Sequence, residues 1–95
     1  MDIQQALGKA IKTIRTSKGL SQEYFSDVSS RTYLSVLENG KKRPTIEKIN
    51  TLANAMGVHP LTLLTLAYMN LDGEKNLADI HKTITNELTQ ALATT

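Results

Sequence analysis

A chain of 95 residues with 40% apolar side chains can build one small hydrophobic core, which leaves no room for a separate catalytic domain. No cysteine is present, so disulfides and thiolate metal sites are excluded and a reducing cytoplasm is the default setting. The net charge of +2 is unevenly spread: residues 1–60 carry nine Lys/Arg against five Asp/Glu, and residues 61–95 carry two against four.

A basic first part can face a polyanion while an acidic tail stays away from it. The opening Met-Asp-Ile-Gln-Gln does not read as a signal peptide, and the most apolar segment, Leu61 to Leu71, is too short to cross a bilayer.

The first helix is expected over residues 2–18, where Ile3, Leu7, Ala10, Ile11 and Ile14 form one apolar stripe. Asp2 and Lys18 complement the dipole at its two ends, and Lys9 and Lys12 read as a solvated face. Gly19 supplies a left-handed stop, after which Leu20 can fold back onto the helix. Ser21 is then a good N-cap for a short second helix, about residues 22–28, offering Phe25 and Val28 to the core. Ser29-Ser30 interrupts the pattern and provides a fresh cap. A third helix follows over residues 31–38, burying Leu34 and Leu37 on one face, and Asn39-Gly40 ends it. Two short helices on a tight turn, the second followed by Lys41-Lys42-Arg43 and a Pro44 stop, form a helix-turn-helix suited to a DNA groove.

GLSQE, RTYLSVLENG and KKRPT together resemble the DNA-binding domain of the Cro/C1 (XRE, lambda-repressor-like) family of bacterial and phage transcriptional regulators, from about Leu7 to Leu64. The resemblance implies an all-α fold: a compact five-helix lambda-repressor-like DNA-binding domain, residues 1–70, to which this chain adds a loop and sixth helix over 71–95. It also implies that Arg15 pairs with Glu38, tying the first helix to the end of the third as a structural ion pair. One departure stands out. Family members carry a longer stretch between the Gln-Glu pair and the Arg of the third helix, with a Gly in the turn, whereas no Gly occurs here between Gly19 and Gly40. A shortened second helix and a tighter Ser29-Ser30 turn are expected.

The third helix then turns Arg31, Thr32 and Ser35 toward the groove, with Val36 and Asn39 at the edge of that face. Arg31 can grip guanine O6 and N7 in a bidentate way, Thr32 and Ser35 can donate to base or phosphate, and Val36 can touch a thymine methyl. Tyr33 can place its hydroxyl on a phosphate or pack. Gln22 sits at a helix N-terminus, a favourable place for phosphate, and the resemblance gives the matching Gln a DNA contact. Lys41, Lys42 and Arg43 read as a phosphate clamp. Direct base readout is thin, so DNA shape and a second half-site are expected to supply much of the specificity.

Thr45 caps a fourth helix with Ile46, Ile49, Leu52, Ala53 and Met56 as its core stripe, and Gly57 ends it. His59-Pro60 opens a fifth, about residues 60–70, apolar almost all round. Leu71 to Glu74 reads as a loop, and residues 75–93 as a sixth helix with Leu77, Ile80, Ile84, Leu88, Ala91 and Leu92 on one stripe. Leu63, Leu66, Ile80, Ile84 and Leu88 are the expected homodimer interface, the alternative being a sixth helix that packs back on its own domain, because one small domain has little surface to cover both apolar faces. The function expected is a regulator that binds double-stranded operator DNA, blocking or recruiting RNA polymerase. The alternative is a protein-interaction module, such as an antitoxin or regulator antagonist, using the last two helices. No cofactor, metal, membrane or enzymatic role is expected: no HExxH or Gly-rich phosphate loop occurs, and His59 and His81 lie on different elements.

Overall fold

The computed structural model describes residues 1–72 and 76–94, and these are helical with no strand among them. Helix α1, Ile3–Ser17, starts where Asp2 accepts the Gln5 N–H at 2.8 Å and the Gln5 side chain accepts the Asp2 N–H at 3.0 Å. This reciprocal capping box satisfies donors that a bare helix start would leave unpaired. At the other end Gly19 takes φ +69°, and the N–H groups of Gly19 and Leu20 close onto the carbonyls of Thr16 and Arg15.

The expected second α-helix is absent. In its place stands a single 3₁₀ turn, Gln22–Phe25, capped by Ser21. Its bonds run three residues back, from Tyr24 N–H to Ser21 O at 3.2 Å and from Ser26 N–H to Glu23 O at 3.0 Å. A short stretch joins the caps Ser21 and Ser30, and Phe25 reaches the core from it, where it is 1% exposed. A tighter helix spends more rise per residue than an α-helix.

Three further helices complete the core, and a fifth is added to it. Helix α2, Arg31–Glu38, begins at Ser30, whose hydroxyl accepts the Tyr33 N–H at 3.0 Å. Helix α3, Ile46–Ala55, begins at Thr45 in the same manner. Helix α4, Pro60–Asp72, is preceded by His59, whose Nδ1 accepts the Leu61 N–H at 3.0 Å. It takes in Leu71 and Asp72, where a loop is expected from sequence; Gly73, Glu74 and Lys75 lie outside the described residues. Helix α5, Leu77–Ala93, is capped by Asn76.

The core forms mainly between α1 and α4, with α2 and α3 closing it, and Ile11, Phe25, Leu34, Leu37, Leu52 and Leu63 are its most deeply buried large side chains. Each such burial contributes about 1.5–3 kcal/mol. Two expectations are corrected here. Ile46, placed on the core stripe, is 82% exposed, because the stripe of α3 starts three residues later at Ile49. Leu63, assigned to the dimer interface, is sealed in the core at 0% exposure. An all-apolar helix gives no periodic signal of which face turns inward, and α4 turns Leu63 and Ala67 in while Leu61 and Tyr68 stay out.

Helix α5 packs against α4 but buries no residue of its own. Among the described residues no helix is long and apolar enough to cross a membrane.

Candidate nucleic-acid interface

The end of helix α2 rests directly on the α1 backbone at Gly8. A Cβ at that position would lie 2.3 Å from the Leu37 carbonyl oxygen and 2.8 Å from that of Glu38. Only a bare backbone lets the two helices meet at this point. The C-terminus of α2 is closed by Gly40 at φ +72°, with Gly40 N–H on Leu37 O at 3.0 Å and Lys41 N–H on Val36 O at 3.1 Å. This pattern is a Schellman motif, and it turns the chain sharply into the basic loop. Gly40 also presses on α1, since a Cβ there would stand 2.9 Å from the Gln5 Cα.

A buried polar cluster then fixes the angle of α2. Arg15 Nε donates to Glu38 Oε2 at 2.7 Å and Nη2 to Oε1 at 2.9 Å, while Nη1 reaches the Leu20 carbonyl at 2.8 Å. The two side chains are only 10% and 4% exposed. The Glu38 carboxylate holds the Arg15 guanidinium above its ordinary pKa, first through the hydrogen bond and then through charge, against desolvation that opposes it. Gln22 joins the cluster, its amide donating to Glu38 Oε1 at 3.2 Å. Gln22, expected to point at DNA, is thus half-buried and tied to the helix end. Its backbone remains at the start of the 3₁₀ turn.

Of the other expected contact residues, Arg31, Thr32, Asn39, Lys41, Lys42 and Arg43 are exposed, and Tyr33, Ser35 and Val36 are half-buried. Arg31 Nη1 donates to Glu23 Oε1 at 2.9 Å. The Tyr33 ring lies under two cations, with Lys42 Nζ 5.5 Å and Lys48 Nζ 5.2 Å from its centroid. Lys48 also donates to the Val28 carbonyl, tying α3 to the turn before α2. Arg43 Nε donates to Gln4 Oε1 at 2.9 Å, and the same Gln4 side chain donates to the Gly40 carbonyl at 3.0 Å. One amide on α1 therefore positions both the end of α2 and a cation of the loop. A small polar cleft of about 180 Å³ gathers Gln22, Ser35 and Asn39 with Lys12, a residue expected on the solvated face of α1.

Four residues that matter to this geometry were missed in sequence: Gly8, Gln4, Glu23 and Lys48. Gly8 alone carried a signal. A Gly inside an apolar helical stripe costs about 1 kcal/mol against Ala, so its presence points to a close approach. Gln4 and Lys48 bond to residues distant in sequence, and Glu23 bonds across the turn to Arg31. His59 and His81 line one groove beside Thr62, Leu66 and Met69, but no cluster of three or more metal-ligating side chains occurs among the described residues.

What this geometry offers is a short helix locked on its inner face by apolar packing and a buried ion pair, with polar side chains outward and three cations after it. The helix-turn-helix family profile matches residues 11–63, the segment that builds this arrangement. The chain belongs to the Cro/C1-type helix-turn-helix family of DNA-binding transcriptional regulators. It is 39% identical over 67 residues to an uncharacterized HTH-type transcriptional regulator, y4dJ, of Sinorhizobium fredii (strain NBRC 101917 / NGR234), covering 68% of this chain and 87% of that one. It is 31% identical over 67 residues to the control protein C.SmaI of Serratia marcescens, covering 68% of this chain and 80% of that one. Among solved structures, the clp gene regulator ClgR from Corynebacterium glutamicum superposes with a TM-score of 0.72 at 25% identity, over 96% of this chain and 95% of that chain.

Proposed function

We propose that this helix-turn-helix regulator reads operator DNA by laying the outer face of α2 in the major groove, as a homodimer on an inverted repeat. The observation that carries this is the division of α2 into a clamped inner face and an exposed outer one, directly followed by Lys41, Lys42 and Arg43. Arg31 takes a guanine, Thr32, Ser35 and Asn39 meet bases or phosphates, and Val36 meets a thymine methyl at the edge of the contact. Lys41, Lys42 and Arg43 neutralise the backbone, with Arg43 steadied by Gln4. Tyr33, beneath Lys42 and Lys48, aligns a cationic patch rather than reading sequence. Gln22 contributes through its backbone at the turn and supports Glu38 with its side chain.

Selection of bound duplexes from a random library at near-physiological salt, followed by sequencing, tests this directly. The expected product is an inverted repeat with half-sites one helical turn apart. Arg31→Ala should reduce preference at one base pair per half-site by ~1–3 kcal/mol, and Lys42→Ala should weaken all sequences alike with a shallower salt slope. Equal losses on operator and random DNA for both variants would remove the division of roles.

The dimer surface we assign is the α4–α5 face without Leu63. Leu66 and Ile80 are half-buried there, and Ile84 and Leu88 are 43% and 56% exposed. Leu61, Tyr68, Leu77 and Leu92 add further exposed apolar surface. Ile84→Asp with Leu88→Asp should give a monomer by light scattering and lower affinity for the full repeat by about 10²–10⁴, the usual gain from joining two sites. A variant that stayed dimeric would place the interface elsewhere. A second reading, in which this face holds a different protein, is favoured by the same exposure of α5, and it predicts a wild-type monomer that enriches no DNA.

A further inference from the structure

We propose that Glu23 is a specificity-determining residue: standing on the 3₁₀ turn, it holds Arg31 for guanine and lowers affinity for sequences lacking guanine there. This rests on the DNA-reading role proposed above for α2. Arg31 occupies the first position of α2, where the positive end of the helix dipole disfavours a cation. It also has long rotamer freedom that any base contact must remove. The Glu23 carboxylate offsets both, accepting from Nη1 at 2.9 Å.

The contact between them is single. It leaves the side edge of the guanidinium, Nε and Nη2, outside the pair and available for a two-point bond to guanine O6 and N7. Guanine recognition and the Glu23 bond can therefore coexist on one arginine. The turn that carries Glu23 is held in place, Gln22 by its bond to Glu38 and Phe25 by the core at 1% exposure.

Charge supplies the negative half of the selection. Glu23 is an acid on the face that we assign to DNA, and its repulsion of phosphate is offset only while Arg31 remains beside it. An Arg31 that swings away to follow the backbone on a wrong sequence leaves the carboxylate exposed to polyanion. The pair adds little to the fold, with side chains 69% and 72% exposed. Its consequence lies in the choice of DNA.

The test compares wild type, Glu23→Gln, Arg31→Ala and the double variant, each by duplex-library selection, affinity for the recovered operator and for random duplex, and thermal melting. Glu23→Gln should melt like wild type, relax the guanine preference, and shrink the operator-to-random ratio by about fivefold, the upper range for one exposed ion pair. Much of that loss should come as tighter binding to random duplex. In the Arg31→Ala background the same substitution should leave base preference unchanged. An unaltered motif and ratio in Glu23→Gln, or an equal change in both backgrounds, overturns the proposal. If wild type itself recovers no motif, the DNA-reading role of α2 and the role of Glu23 fall together.

Discussion

Glu38→Ala should lower the unfolding free energy by about 3–5 kcal/mol, the cost of leaving a buried charge without its partner. Three bonds meet on this carboxylate, two from Arg15 and one from Gln22, at 2.7, 2.9 and 3.2 Å. Removing it leaves Arg15, itself 10% exposed in its side chain, with only the Leu20 carbonyl. A domain of this length holds roughly 5–14 kcal/mol in total, so the change is a large share of its stability. At about 4–8 °C per kcal/mol, the melting midpoint should fall by at least ~12 °C.

The two-residue replacement separates structure from charge. Arg15→Met combined with Glu38→Leu removes both ions together and should recover most of the lost stability, because the desolvation of the pair disappears with its attraction. That double variant should still read DNA less selectively, since apolar packing holds the end of α2 without the bidentate geometry that fixes its angle. Thermal melting of the single and double variants decides the first point. A Glu38→Ala protein that melts with wild type would mean that the pair is incidental to the fold.

Much of this architecture was legible because its signals are local. Ser30 and Thr45 cap helices, and Gly19, Gly40 and Gly57 end them with positive φ, all from residues adjacent to the element they bound. The apolar stripe of α1 reads directly from spacing. Legibility failed where the deciding partner is remote or where the pattern carries no phase. Gln4 bonds to Gly40 and Arg43, 36 and 39 residues away, and nothing near Gln4 announces it. Leu63 and Leu66 look alike in a helix that is apolar on every side, yet only Leu63 is fully buried. The missing Gly of the turn warned of a shortened second helix, but not that the segment would tighten into a 3₁₀ turn from which Phe25 enters the core. At the face proposed to meet DNA, the residue types were evident from sequence, whereas the Glu23–Arg31 ion pair and the Gln4 amide bonded to Arg43 required the fold.

Gly8→Ala carries the second large expectation, and its sign runs against helix propensity. Alanine favours a helix interior by about 1 kcal/mol over glycine, so on an open surface this change would stabilise. Here the new methyl would meet the Leu37 and Glu38 carbonyl oxygens at 2.3 and 2.8 Å. Both are backbone atoms in a hydrogen-bonded helix, and neither can rotate aside. The end of α2 must retreat by about 1 Å to reach an ordinary carbon–oxygen separation. That retreat pulls Glu38 from Arg15 and the Gly40 carbonyl from Gln4. Overpacking costs ~1–3 kcal/mol, and the immobility of these neighbours places the net loss at the upper end, about 3 kcal/mol. Gly19→Ala is the proper comparison, because nothing lies within 4 Å of its Cβ and only its φ of +69° is strained. It should cost about 1–2 kcal/mol and leave operator choice intact. Gly8→Ala should instead lose discrimination more than random-duplex affinity, since the cations stay on the surface while the reading helix shifts beneath them. Denaturant unfolding of the two variants orders them. A Gly8→Ala protein as stable as wild type would show that α1 and α2 have room to part, and that Gly8 does not set the seating of the reading helix.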